Sequence, residues 1–333
     1  MARATPDLTR RQWLIVLGVA GVAASCNRSD AVADAEPPAT STTAATASAS
    51  PSSTKKPSST KGTTNPPTAK PTPTPTPTPS VPPGAVSAGG FDEAAAATLG
   101  REIAGLVAGS KVAIGVGLRD VGSGRTFVYS TADTFELASS VKVDVLAATM
   151  IKARDGGRSL TATQRAQATT MIRNSDNTAA MAMFNAMGRA AGMDRMYARL
   201  GMAHTKAGPG GWLGTSRSSV ADRLQLMSHV AGHGTVLHPD DAAFILGLMR
   251  SVQAGQRWGA GQVGAAGETV AVKNGWVTDS DDGNRWIICT EGIITAGGKE
   301  LLLTALTRSN SSQGAGISRV TQSLAKARAT LGV

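Results

Sequence analysis

The sequence predicts a mixed α/β (α+β) domain: an antiparallel sheet of about five strands flanked by helices, with an all-helical subdomain inserted between its strands. Three observations carry this. A β-hairpin pattern lies near residue 120, a long helical stretch runs from residue 161 to 249, and three β-rich runs then return before a closing amphipathic helix.

Alanines, leucines and spaced charges over residues 91–108 suit a helix. Residues 111–119 alternate Val112, Ile114, Val116 and Leu118, and Gly122-Ser123-Gly124 turns the chain into Thr126-Phe127-Val128-Tyr129, which completes a hairpin. An apolar run beginning at Leu137 is helix-compatible. From 161 to 249, Met and Leu recur at core-like spacing, with glycine stops at Gly188, Gly201 and Gly234. Residues 270–277, 285–294 and 301–307 carry β-branched and apolar residues between Gly/Asp-rich turns, and 315–331 read as an amphipathic helix. This order builds one sheet from both ends of the chain. A site is expected at the seam between the sheet and the helical insertion.

Composition divides the 333 residues into three parts. Residues 1–26 read as a signal peptide: Arg10-Arg11-Gln12-Trp13-Leu14 opens an apolar run that ends near Ala24, too short for the roughly 20 residues needed to span a bilayer. The paired arginines resemble a twin-arginine export signal, and Ala23-Ala24-Ser25-Cys26 resembles a bacterial lipobox, in which Cys26 would be lipidated. The expected location is the outer face of the cytoplasmic membrane, held there by Cys26. Residues 27–88 are Ala/Thr/Ser/Pro-rich, include an alternating Thr-Pro run from Pro71 to Pro79, and lack the apolar groups needed to offset chain entropy. They read as a disordered tether across cell-wall material. Residues 89–333 remain for one folded domain. The formal charge of +10 is dispersed and aromatics are 4%, which argues against a nucleic-acid partner. Cys289 lies in the apolar run Trp286-Ile287-Ile288-Cys289 and reads as a small core hydrophobe, so no disulfide framework is implied.

Chemistry begins at Ser139 and Lys142. Three residues apart on a helix, they share a face, and a lysine desolvated in a crowded pocket can take the proton of a serine hydroxyl. A helix N-terminus adds N–H groups aimed at a developing oxyanion. Two further clusters flank the expected seam: Ser175-Asp176-Asn177, between two helical stretches, and Lys273-Asn274-Gly275-Trp276, in the first returning strand. Taken singly, each has a plain structural reading as a helix cap, a solvated lysine or a turn.

In order along the chain the clusters read S-x-x-K, S-D-N and K-x-G, and this set resembles the class A β-lactamases and penicillin-binding proteins. Residues 175–202 also look like the helical pair that follows the S-D-N motif in that family. The resemblance covers most of 89–333 and implies a β-lactamase/transpeptidase-like fold. It implies Ser139 as acylated nucleophile, Lys142 as its proton acceptor and Ser175 as a proton relay to the leaving nitrogen. Asn177 would hold the substrate amide, Lys273 would attract a substrate carboxylate, and Asn274 would lie beside that carboxylate. Gly275 would admit substrate close to the strand, and the N–H groups of Ser139 and Trp276 would form an oxyanion hole. Asp176 would orient the loop. The implied ligands are a β-lactam or a peptidoglycan-derived D-alanyl peptide, acted on by a monomer without metal or organic cofactor.

Two departures stand out. Rapid β-lactam hydrolysis in the family uses a loop glutamate to activate the deacylating water, yet no glutamate occurs between Glu136 and Glu268, and the corresponding stretch 208–216 is glycine-rich and short. Acylation with slow release is the expectation. Asn274 replaces the usual threonine or serine. A catalytically silent envelope lipoprotein that binds cell-wall fragments or a protein is the competing reading. His229 and His233, four apart, could share a helix face with His238, Asp240 and Asp241 nearby, but Gly232 and Gly234 mark a helix terminus there rather than a metal site.

Overall fold

A computed structural model describes residues 81–333. The signal segment, Cys26 and almost all of the expected tether lie outside the described residues.

The described chain runs β1 (Val86–Gly89), α1 (Glu93–Gly105), β2 (Ala113–Asp120), β3 (Thr126–Ser130), β4 (Phe135–Glu136) and α2 (Lys142–Asp155). It continues through α3 (Ala162–Arg173), α4 (Asn177–Met187), α5 (Arg189–Arg199), β5 (Arg217–Ser218), α6 (Val220–Val230) and α7 (Pro239–Arg250). It ends with β6 (Thr269–Asp279), β7 (Arg285–Ala296), β8 (Lys299–Asn310) and α8 (Gln313–Leu331). The main sheet has six strands in the order β1-β3-β2-β8-β7-β6, with β4 and β5 in a separate two-stranded sheet.

The strand beyond the expected five is β1, in which Val86 pairs with Tyr129 and Gly89 with Thr126. It starts inside the stretch read as tether because Val86-Ser87-Ala88-Gly89 carries a single β-branched residue and no turn signal of its own. Only pairing to β3 makes it a strand, a tertiary effect that local composition does not encode.

Local signals account for most helix starts. Asp92 accepts from the Ala95 N–H at 2.8 Å to cap α1, Thr161 and Gln164 form a reciprocal capping box at α3, and Ser312 caps α8. Gly188, at φ 91°, ends α4 in the left-handed region, as its sequence position suggests. The stop near residue 234 is made by Gly232, at φ 87°.

The sheet joins the chain ends: β2 pairs with β8 from Ala113↔Arg308 to Asp120↔Leu301. α8 packs on the face that carries Ile288, where Gly316 lies against it, and α6 packs on the opposite face, with Val220 and Leu224 against Gly117. α2 is buried almost all round, from Lys142 to Ile151, and so forms the axis of the helical part. β6 is the sheet edge that meets residues 137–140, just before α2. The expected seam lies there.

Candidate active site

Ser139 sits in a single 3-10 turn, Ala138–Val141, that runs directly into α2. Its neighbours Ala138 and Ser140 are buried while Ser139 is partly open, so the turn presents one hydroxyl to the cleft. Ala138 holds φ at 45°, an unusual value for a residue with a Cβ. Lys142, one turn on, is 2% exposed.

The Lys142 amine is the hub. Nζ donates to the Ser175 carbonyl at 2.6 Å and to Asn177 Oδ1 at 2.7 Å, and lies 3.0 Å from Ser139 Oγ and 3.1 Å from Ser175 Oγ. Two of those partners are carbonyl oxygens with no proton to give, so an uncharged amine places its two hydrogens there and leaves its lone pair for a hydroxyl. Ser175 adopts φ 59°, which brings both its carbonyl and its hydroxyl to the same amine. Asp176 accepts from the Ala179 N–H at 2.6 Å and caps α4, fixing Asn177 at the helix start.

Lys273 reaches the same hydroxyl from the sheet. Its Nζ donates to Ser175 Oγ at 3.2 Å and to the Asn274 carbonyl at 2.7 Å, and the side chain is fully buried. Burial, reinforced by the charge of Lys142, pulls the Lys273 pKa down to about 7, while Glu291 opposes the shift. A continuous path therefore runs Ser139, Lys142, Ser175, Lys273. Gly275 lets β6 approach the Ser139 turn: a Cβ there would lie 2.4 Å from the Leu137 carbonyl oxygen and 2.9 Å from the Ser139 nitrogen. The Trp276 ring packs edge-on against Trp258, with centroids 6.0 Å apart.

Asn274 departs from expectation. Its amide is 1% exposed and donates to the carbonyls of Gln256 at 2.8 Å and Trp258 at 2.9 Å. Side chains alternate across a strand, and this one is committed to anchoring the segment behind β6 rather than to lining the cleft. The two histidines also part. His229 is buried with Nε2 at 3.1 Å from the Leu200 carbonyl, His233 meets Glu300, and no cluster of metal-ligating side chains occurs among the described residues.

The stretch 208–216 forms two short 3-10 turns, Pro209–Gly211 and Leu213–Thr215, with Trp212 between them 75% exposed. Gly214 lies against Ala138, so this loop borders the Ser139 turn without supplying a carboxylate.

The sequence reading missed a buried charge cluster behind the site. Arg223 on α6 donates to both oxygens of Asp144 at 2.7 and 2.9 Å and to Glu291 on β7 at 2.7 to 2.9 Å, and all three side chains are fully buried. The available signal was charge inside apolar runs: Asp144 between Val143 and Val145, and Glu291 two residues from Ile293.

A sheet-and-helix scaffold that places a serine, a buried lysine and a second serine-lysine pair in one cleft has the architecture of the serine hydrolases related to β-lactamases and penicillin-binding proteins. The chain belongs to the β-lactamase enzyme family, whose sequence profile matches residues 98–169 and 161–328. No curated protein sequence matches the chain significantly. Among solved structures, PBP-A is 19% identical with a TM-score of 0.59, covering 71% of this chain and 96% of its own. The TLA-1 extended spectrum β-lactamase is 16% identical with a TM-score of 0.62, covering 71% and 99%. A β-lactamase from Chitinophaga pinensis is 21% identical with a TM-score of 0.58, covering 69% and 99%. At these identities the likeness is one of fold.

Proposed function

We propose that this protein is an exported, lipid-anchored serine hydrolase that forms an acyl-serine at Ser139 with a β-lactam or a D-alanyl peptide and releases it slowly. The observation that carries the reading is the unbroken path from Ser139 through Lys142 and Ser175 to Lys273. Lys142 takes the Ser139 proton as Oγ attacks the carbonyl carbon, and the N–H groups of Ser139 and Trp276 receive the oxyanion. As the C–N bond breaks, Ser175 gives its proton to the leaving nitrogen and recovers one from Lys142. Lys273 attracts the substrate carboxylate, and Asn177 holds the substrate amide. Support from a relative comes from a variant of PBP-A, which has been captured as an acyl-enzyme complex with penicillin G. Slow release follows from the absence of an acidic residue in the loop that borders the nucleophile, since water there has no carboxylate to activate it.

Incubation with a fluorescent penicillin followed by intact-mass measurement tests this. A persistent adduct that disappears in Ser139→Ala is expected. No adduct at saturating ligand would instead support a silent binder of cell-wall fragments. Membrane fractionation of Cys26→Ala tests the anchor, with release into the soluble fraction expected. The active unit is proposed to be a monomer, which sedimentation measures directly.

A further inference from the structure

The segment 251–258, between α7 and β6, is bonded to both walls of the cleft. At one wall it meets the end of α3, just ahead of Ser175. There Arg173 Nε donates to the Ser251 carbonyl at 3.1 Å, the Gln253 N–H donates to the Arg173 carbonyl at 3.1 Å, and Gln256 Nε2 donates to the Asn174 carbonyl at 3.2 Å. At the other wall it meets β6. Asn274 Nδ2 donates to the carbonyls of Gln256 and Trp258, and Arg257 Nη2 donates to the Val270 carbonyl at 2.8 Å. The segment thus joins the residue before Ser175 to the residue after Lys273.

Hydrogen bonds rather than packing hold its middle. Val252 and Trp258 are buried at the two ends, but none of residues 253–257 is. Asn274 serves two carbonyls with one NH2 group, while its own buried Oδ1 has no hydrogen-bond partner among the described residues. A flipped amide would set that oxygen against both carbonyls, so the residue acts here only as a donor. Gln256 repeats the pattern, with Nε2 on the Asn174 carbonyl and a buried Oε1 that has no partner among the described residues. A buried acceptor without a donor costs stability, so stability alone does not favour an amide at either position. What the two amides secure is position.

We propose that Asn274 and Gln256 are positioning residues for acylation: they make segment 251–258 a strap that fixes the gap between the Ser175 turn and β6, and with it the 3.2 Å approach of Lys273 Nζ to Ser175 Oγ. The proposal rests on the acyl-serine reading of the site. Ser175 gives its proton to the leaving nitrogen in that reading, so a turn that drifts from β6 slows cleavage of the C–N bond more than it weakens binding of the ligand.

The test compares the wild-type protein with Asn274→Ala, Gln256→Ala and the double variant, by acylation with a penicillin over a range of concentrations and by NMR of amide hydrogen exchange at Gln253. Each single substitution is expected to slow the saturating acylation rate about tenfold, with the half-saturating ligand concentration nearly unchanged. The double variant is expected to be no slower than the slower single one, because either cut frees the same strap. The Gln253 N–H, whose own bond neither substitution removes, is expected to exchange about tenfold faster in both single variants. Losses that multiply in the double variant would overturn the proposal. So would unchanged Gln253 exchange in Asn274→Ala, or a lowered melting temperature with an unchanged acylation rate. Should Asn274→Ala fail to fold, Gln256→Ala changes a half-buried side chain outside the sheet and carries both readouts, and unchanged values there overturn the proposal. Absence of any adduct in the wild type would overturn the acyl-serine reading alone, since Gln253 exchange still decides whether Asn274 and Gln256 hold the strap to the Ser175 turn.

Discussion

At the scale of single residues, the site is governed by how few protons its polar groups share. A lysine whose pKa is drawn down to about 7 is charged below that pH and loses its charge as pH rises through it. Acylation by a carboxylate-bearing penicillin is therefore expected to weaken above pH 7, approaching tenfold per unit, and an ester lacking the carboxylate is expected to be less sensitive; stopped-flow acylation across pH 6 to 9 measures both. Gly275 offers a steric counterpart. Gly275→Ala puts a methyl into the Leu137 carbonyl and the Ser139 and Ser140 nitrogens, so a loss of about 1–3 kcal/mol in stability and a marked fall in acylation are expected by denaturant titration and adduct formation. That Ser139, Lys142, Ser175 and Lys273 come together was legible in the sequence, because order and spacing single them out jointly. The burial of Asn274 was not, since a three-residue motif does not reveal which neighbour will want its amide.

At the scale of elements, the turn that carries Ser175 depends on the cap that follows it. Asp176→Ala removes the acceptor for the Ala179 N–H and is expected to cost about 1 kcal/mol, with slower acylation because Asn177 loses its fixed position at the start of α4. Arg223 ties α6 to both α2 and β7. Arg223→Met leaves two carboxylates buried without their cation and is expected to cost about 3–5 kcal/mol, and thermal unfolding at low pH, where the carboxyls take up protons, should recover part of the loss. The helices and the returning strands were readable from Met and Leu spacing, glycine stops and β-branched runs, while the caps at Asp92, Thr161 and Ser312 emerge only in the structure. Neither β1 nor the 3-10 turn before α2 was, because pairing and packing rather than local preference define them.

At the scale of the whole domain, the sheet closes only when β2 meets β8. α8 seals one face with Val320, Leu324, Ala327 and Leu331 buried against the strands. The valine and the two leucines are each worth about 1.5–3 kcal/mol, which together is comparable with the roughly 5–15 kcal/mol stability of a typical domain. A chain ending at Asn310 is expected to be unfolded by circular dichroism and rapidly degraded by protease. The strand-helix-strand order announced this architecture in the sequence, since only a sheet made from both ends accommodates it.

The left-handed backbone at Ala138 has a thermodynamic corollary. A side chain in that conformation costs about 1–2 kcal/mol that glycine would not incur. Ala138→Gly is thus expected to raise Tm by a few degrees while loosening the turn that aims the Ser139 hydroxyl, so that heat resistance and acylation rate move in opposite directions. Resilience and reactivity are set against each other at a residue that itself performs no chemistry.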